Sequence, residues 1–136
     1  MKRYCVDTSA YTFFNRGHQA VVDIIDSADW LGLPAVTLGE LETGFLLGSR
    51  RRENQDVLRE FMDNPVVEEI PVHRAIAAVY AEIVVALRKA GNPIPTNDVW
   101  IAASAYDTNS TVLTYDSHFG LIDQVRSWVL TRPPKG

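Results

Sequence analysis

The 136-residue chain has one cysteine, Cys5, so no intrachain disulfide exists and the fold must rest on its own core. Cys5 lies in the apolar run Tyr4-Cys5-Val6 and reads as a small buried hydrophobe, because a reactive thiol wants a histidine partner and an exposed setting. The sequence also lacks any apolar run long enough to cross a bilayer, which argues against a membrane protein. The segment before Asp7 is too short for a signal peptide and reads as a first core strand. Together with the unpaired cysteine, these features predict a cytoplasmic protein. No repeat, low-complexity tract or Gly/Ser linker interrupts the chain, so residues 1–136 are expected to form one domain. There is no Gly-rich phosphate loop, no G-x-S-x-G elbow, and no Ser-His-Asp or Cys-His spacing. Positive charge is short as well: 13 Lys+Arg stand against 17 Asp+Glu, a net −4. That balance argues against non-specific nucleic-acid binding, unless bound cations cancel part of the acidity. What basic charge exists is local, at Arg50-Arg51-Arg52 and Arg88-Lys89, and the arginine run reads as a solvated helix end.

What is present is an alternation of short β-like and helical runs. Strands are expected over 3–6, 33–36, 66–72, 111–115 and 127–130, with Pro71 placing its strand at an edge or an end. Helices are expected after Thr8 or Ser9 as a cap, over 19–30, from a Thr37 cap toward Gly48, and over 54–62, 73–90 and 99–106. The pattern is clearest from His73 to Ala90, where Ile76, Val79, Tyr80, Ile83, Val84 and Leu87 share one face before Gly91. Residues 99–106 are apolar nearly all round and should be buried, and 133–136 should fray. Continuous apolar strands separated by helices predict an α/β fold, a three-layer α/β/α sandwich with a mostly parallel central sheet. Ligands in such sheets sit beyond the carboxyl ends of the strands.

Four acids stand where that rule points. Asp7 and Asp116 end two strands, Glu40 begins one helix and Asp98 another. Each has a plainer reading. Asp7 and Asp116 suit helix caps or turns, Glu40 can close a capping box with Thr37, and Asp98 suits a helix N-terminus. Glu42 competes with Glu40, but the two side chains point about 200° apart on a helix, and Glu40 lies nearer the preceding strand. Four acids meeting at one edge repel, and only a positive group among them makes that tolerable. Hard oxygen donors suit Mg²⁺ or Mn²⁺, which orient a phosphate and activate water, so phosphodiester hydrolysis is the chemistry expected. His118 is read as part of a structural turn beside Phe119 rather than as a metal ligand or proton carrier. His18 and His73 are given no role, and Trp30, Trp100 and Trp128 read as core or interface aromatics.

The ordered set Val6-Asp7-Thr8-Ser9, Thr37-Leu38-Gly39-Glu40-Leu41 before Gly44, Pro95-Thr96-Asn97-Asp98-Val99-Trp100-Ile101-Ala102-Ala103 and Leu113-Thr114-Tyr115-Asp116-Ser117-His118-Phe119 resembles the PIN-domain nucleases, and among them the VapC toxins of type II toxin–antitoxin pairs. The resemblance spans essentially the whole chain. It implies a Mg²⁺- or Mn²⁺-dependent endoribonuclease acting on structured RNA such as tRNA or rRNA. It also implies a homodimer neutralised by a VapB-like antitoxin whose tail enters the acidic pocket. Carried over by residue, Asp7 and Asp98 would be the main metal ligands, and Asp116 would hold a metal or its water. Glu40 would bind through water or assist proton transfer, while the Thr8 and Thr114 hydroxyls would orient the carboxylates. Many relatives carry Asn at or beside the Asp116 position, and Gly39 replaces the more usual Ala. Two further readings share the fold: a housekeeping RNA-processing nuclease and a non-catalytic module that binds RNA or a protein. A haloacid-dehalogenase-like enzyme would need Asp where Ser9 stands, and a receiver domain would need paired acids and a lysine that the chain does not offer.

Overall fold

The computed structural model describes residues 1–134. In chain order the elements are β1 (Arg3–Val6), α1 (Thr8–Asn15), α2 (Gln19–Asp26), β2 (Trp30–Pro34), α3 (Ala35–Leu47), α4 (Arg51–Met62), β3 (Val67–Ile70), α5 (Arg74–Ala90), α6 (Thr96–Asp107), β4 (Thr111–Thr114), a 3₁₀ turn (Ser117–Leu121) and β5 (Ser127–Val129). The five strands form one sheet in the order β3-β2-β1-β4-β5, and every pairing is parallel. The chain runs outward from β1 to one edge and then returns to β4 on its other side. The topological switch therefore falls between β1 and β4, where open parallel sheets make their crevice.

The pleat sorts side chains into two layers. Cys5 and Val112 face one side, where Ile76, Ile83 and Leu87 of α5 and Val99, Ile101 and Ala102 of α6 cover them. Val6 and Leu113 face the other, beneath Ala10 and Tyr11 of α1, Val21 and Ile25 of α2, Leu41 of α3 and Leu58 of α4. A fully buried aliphatic side chain such as Ile83 contributes about 1.5–3 kcal/mol. Cys5 is fully buried and burial pushes its thiol pKa well up, so it packs as a hydrophobe. This is the expected three-layer α/β/α sandwich. Among the described residues no helix is long and apolar enough to cross a membrane.

Several boundaries differ from expectation. The helix expected over 19–30 stops at Asp26, and the strand expected over 33–36 is instead Trp30–Pro34. The polar stretch Asp26-Ser27-Ala28-Asp29 is the break between them, and the apolar Ala28 and Trp30 also fit the helix face, so periodicity alone misplaces the join. Gly32 shows what the strand requires: an added Cβ would lie 2.4 Å from the Trp30 ring and 2.5 Å from Ile70. Pro34, not Thr37, is the N-cap of α3. Thr37 lies inside the helix, and its hydroxyl donates to the Val6 carbonyl at 3.1 Å. Helix α4 starts at Arg51 rather than at 54, so Arg51 and Arg52 form its first turn. Likewise α6 starts at Thr96, which puts Thr96 and Asn97 in the helix and Asp98 in its first turn. Strand β3 is shorter than expected, ending at Ile70 on the sheet edge just before Pro71. Gly91 closes α5 in the left-handed conformation, φ 72°. Of the tail expected to fray, Lys135 and Gly136 lie outside the described residues.

Candidate active site

The β1–β4 ladder sets the first acid. Cys5 pairs with Val112 and Val6 with Leu113, and the Asp7 N–H then donates to the Leu113 carbonyl at 3.3 Å. That register brings Thr114 beside Asp7, and the Thr114 hydroxyl donates to Asp7 Oδ2. Asp7 is itself the N-cap of α1, as its plainer reading allows, and Thr8 and Ser9, expected as caps, lie inside the helix. Its Oδ1 accepts from Ala10 N and from the Ser9 hydroxyl, each at 2.8 Å. Ser9 Oγ also accepts from Tyr115 N at 2.9 Å, which ties the start of α1 to the end of the neighbouring strand β4. Asp7 is 4% exposed. Burial raises its pKa, the donors from Thr114, Ala10 and Ser9 oppose that rise, and the charge on Asp116 adds to it.

Asp116 caps the 3₁₀ turn, accepting from His118 N at 2.9 Å, while its own N–H donates to the Thr114 hydroxyl at 2.9 Å. Thr114 thus bridges two of the acids. Glu40 sits in the second turn of α3, and its Oε1 accepts from the Thr8 hydroxyl at 2.7 Å. A capping box with Thr37 is excluded, because Thr37 bonds elsewhere. Glu42 accepts from Gln55 of α4 at 3.1 Å, on a different face from Glu40, as the helical turn requires.

Asp98 is held differently. Its pKa is pushed up to about 6, first by burial and then by the charges of Asp116, Glu40 and Asp7, with His118 partly offsetting them. All four acids therefore share one field at the carboxyl edge. The tightest part of the cluster is narrower than the four. Asp98, Asp116 and His118 each offer a donor atom, and these atoms lie within 4.8 Å of one another. Asp7 and Glu40 stand at the margin of that group, each tied to a hydroxyl.

Two residues at the site are not among those that the sequence alone places there. Ser9 braces Asp7, and His118, read as a structural turn, instead directs Nδ1 to 3.1 Å from Asp116 Oδ1 and 3.7 Å from Asp98 Oδ2. Both stand two residues after a capping aspartate, in Asp7-Thr8-Ser9 and Asp116-Ser117-His118. A cap folds the next two residues back over its own carboxylate, and that spacing is the signal that marks them. Of the other histidines, His18 bonds the Tyr115 hydroxyl and His73 lies 3.2 Å from Asp107. Trp100 stacks on Tyr80 with ring centroids 3.7 Å apart, and Trp128 is 44% exposed.

The sequence model of the PIN domain family matches residues 4–125. The chain is 28% identical over 127 residues to Ribonuclease VapC5 of Mycobacterium tuberculosis, covering 93% of each protein. It is 32% identical over 97 residues to Ribonuclease VapC4 of the same organism, covering 71% of this chain and 74% of that one. Among solved structures it resembles a member of the VapBC family of toxin–antitoxin systems, VapBC-5 of Mycobacterium tuberculosis. There the TM-score is 0.75 and the identity 26%, over 96% of this chain and 100% of the other.

Proposed function

The chain belongs to the PIN domain family, and on that premise we propose that it is a metal-dependent endoribonuclease, the VapC-type toxin of a toxin–antitoxin pair. The proposed unit is one nuclease domain over residues 1–136. The observation that carries this reading is the convergence of Asp7, Glu40, Asp98 and Asp116 on one field that lifts the Asp98 pKa.

The site fits a divalent cation on its own chemistry. Its donors are hard carboxylate oxygens, and their mutual repulsion is the feature a doubly charged ion relieves. Asp98 and Asp116 would hold Mg²⁺ or Mn²⁺, with Asp7 completing the set and Glu40 reaching it directly or through water. When bound, such a cation supplies positive charge for the phosphate and acidity for a water molecule. The chain's own residues do the rest. The Thr114 and Ser9 hydroxyls and the Ala10 N–H fix Asp7 in one rotamer, so its oxygens do not reorient as charge develops. Thr8 occupies Glu40 Oε1, which leaves Oε2 to accept the proton of an attacking water.

The substrate is proposed to be RNA of the tRNA or rRNA class, and the setting the cytoplasm. The partner is proposed to be a VapB-like antitoxin, supported by the toxin–antitoxin system to which the similar structure belongs. A homodimer is the proposed assembly. Incubating the purified chain with total RNA, with Mg²⁺ or with EDTA, tests the reading. Cleavage that EDTA abolishes and excess metal restores is expected. RNA left intact under both conditions, or cut equally under both, would overturn it.

A further inference from the structure

His118 stands outside the four-carboxylate set, yet its ring is turned into it. The side chain is about half exposed, so the core does not hold it there. The local backbone does. Asp116 accepts the His118 N–H at 2.9 Å, and the turn then brings Nδ1 to 3.1 Å from the same carboxylate oxygen. From there Nδ1 also reaches to 3.7 Å from Asp98 Oδ2, on a different helix. Around a six-coordinate ion with bonds of 2.0–2.1 Å, neighbouring donors stand about 3 Å apart and opposite ones about 4 Å. Both observed separations fall in that span. With its proton on Nε2, the imidazole presents a lone pair to the space shared by the two carboxylates.

We infer that His118 is a nitrogen ligand of this site, beside Asp98 and Asp116, and that it shifts the site's preference from Mg²⁺ toward Mn²⁺ and the later first-row transition ions. The inference rests on the metal-dependent reading above. Mg²⁺ is hard and gains little from nitrogen, whereas transition ions bind imidazole well. A purely carboxylate site has no such bias built in. The short 3₁₀ turn after Asp116 therefore acts as a selectivity device, because it fixes the ring's approach through one backbone hydrogen bond.

The test uses the full chain, wild type and His118→Asn, the latter placing an amide near the position of Nδ1. Pulsed EPR of the Mn²⁺-loaded protein reads directly bound nitrogen, and calorimetric titration with MnCl₂ and with MgCl₂ reads the two affinities. The expected result is ligand-nitrogen modulation in the wild type that is lost in His118→Asn. The ratio of Mn²⁺ to Mg²⁺ affinity should fall roughly tenfold in the variant, chiefly through weaker Mn²⁺ binding. Stoichiometric Mn²⁺ without nitrogen coupling in the wild type would overturn the inference. So would coupling that survives undiminished in the variant, or an unchanged affinity ratio. If the wild type binds neither ion, the metal-dependent reading falls and this inference falls with it, an outcome distinct from metal bound without nitrogen.

Discussion

Asp7 and Asp98 both lie at the carboxyl edge of the sheet, but the chain holds them in opposite ways. Asp7 is almost wholly buried, and its oxygens collect a backbone N–H and two hydroxyls while capping α1. It belongs to the structure as much as to the site. Asp98, with a side chain 16% exposed, has its pKa moved by burial and neighbouring charge alone. The contrast teaches that two acids with the same proposed role, both with pKa raised by burial, can differ in what the fold loses without them. One is wired into the fold, and the other is tolerated by it at a cost.

The sharpest way to break that comparison is Asp98→Asn. RNA cleavage should fall by at least about a hundredfold, while the metal-free protein becomes more stable, because an isosteric neutral group removes the repulsion. A calorimetric melting temperature below the wild type would contradict the second half. Next is Asp7→Ala, which should abolish cleavage too but lower stability by about 2–3 kcal/mol, through the lost cap and the hydroxyls left without an acceptor. Urea unfolding reads it, and an unchanged midpoint would make Asp7 no more structural than Asp98.

A smaller effect sharpens the contrast through pH. Between 3.8 and about 6 the folded chain keeps a proton on Asp98 that the unfolded chain has released. Folded protein then binds more protons than unfolded, so stability falls as pH rises through that window, by at most about 3 kcal/mol. Asp7, also raised, acts in the same direction. The slope should flatten in Asp98→Asn, and an identical slope in both proteins would remove Asp98 as its source. The smallest effect is expected for Glu42→Gln, whose carboxylate bonds Gln55 away from the site, whereas Glu40→Gln should slow cleavage clearly. The reverse ranking would move the site.

Much of this architecture is legible in the chain because the pattern and the environment agree. Helix α5 shows a clean apolar face before Gly91, and the strands that end at Val6 and Thr114 have apolar centres with an acid one or two residues beyond. The missed features have physical reasons. At Trp30–Pro34 the strand is only five residues long and opens on a tryptophan that also fits the preceding helix face, so the helical period carries past Asp26. At Thr37 a good capping residue was available, but Pro34 had already fixed the turn, and the hydroxyl found a deeper acceptor in Val6. Asp7 carries two readings in the sequence, site acid and helix cap, and it is the cap while also standing at the site. The four acids were visible, but their inequality was not: of the hydrogen bonds that separate Asp7 from Asp98, those from Ser9 and Ala10 exist only because Asp7 is the cap, and the one from Thr114 comes from more than a hundred residues downstream.

The central claim is that charge crowded around Asp98 is relieved by a divalent cation, and metal-induced thermal stabilisation tests it most directly. Melting temperatures of wild type and Asp98→Asn are measured with EDTA and with millimolar Mg²⁺ or Mn²⁺. The wild type should gain several degrees on adding metal, about 2.7 kcal/mol if metal reaches a hundred times its dissociation constant, while the variant, already higher without metal, should gain little. A wild type indifferent to metal, or a variant stabilised just as much, would contradict it.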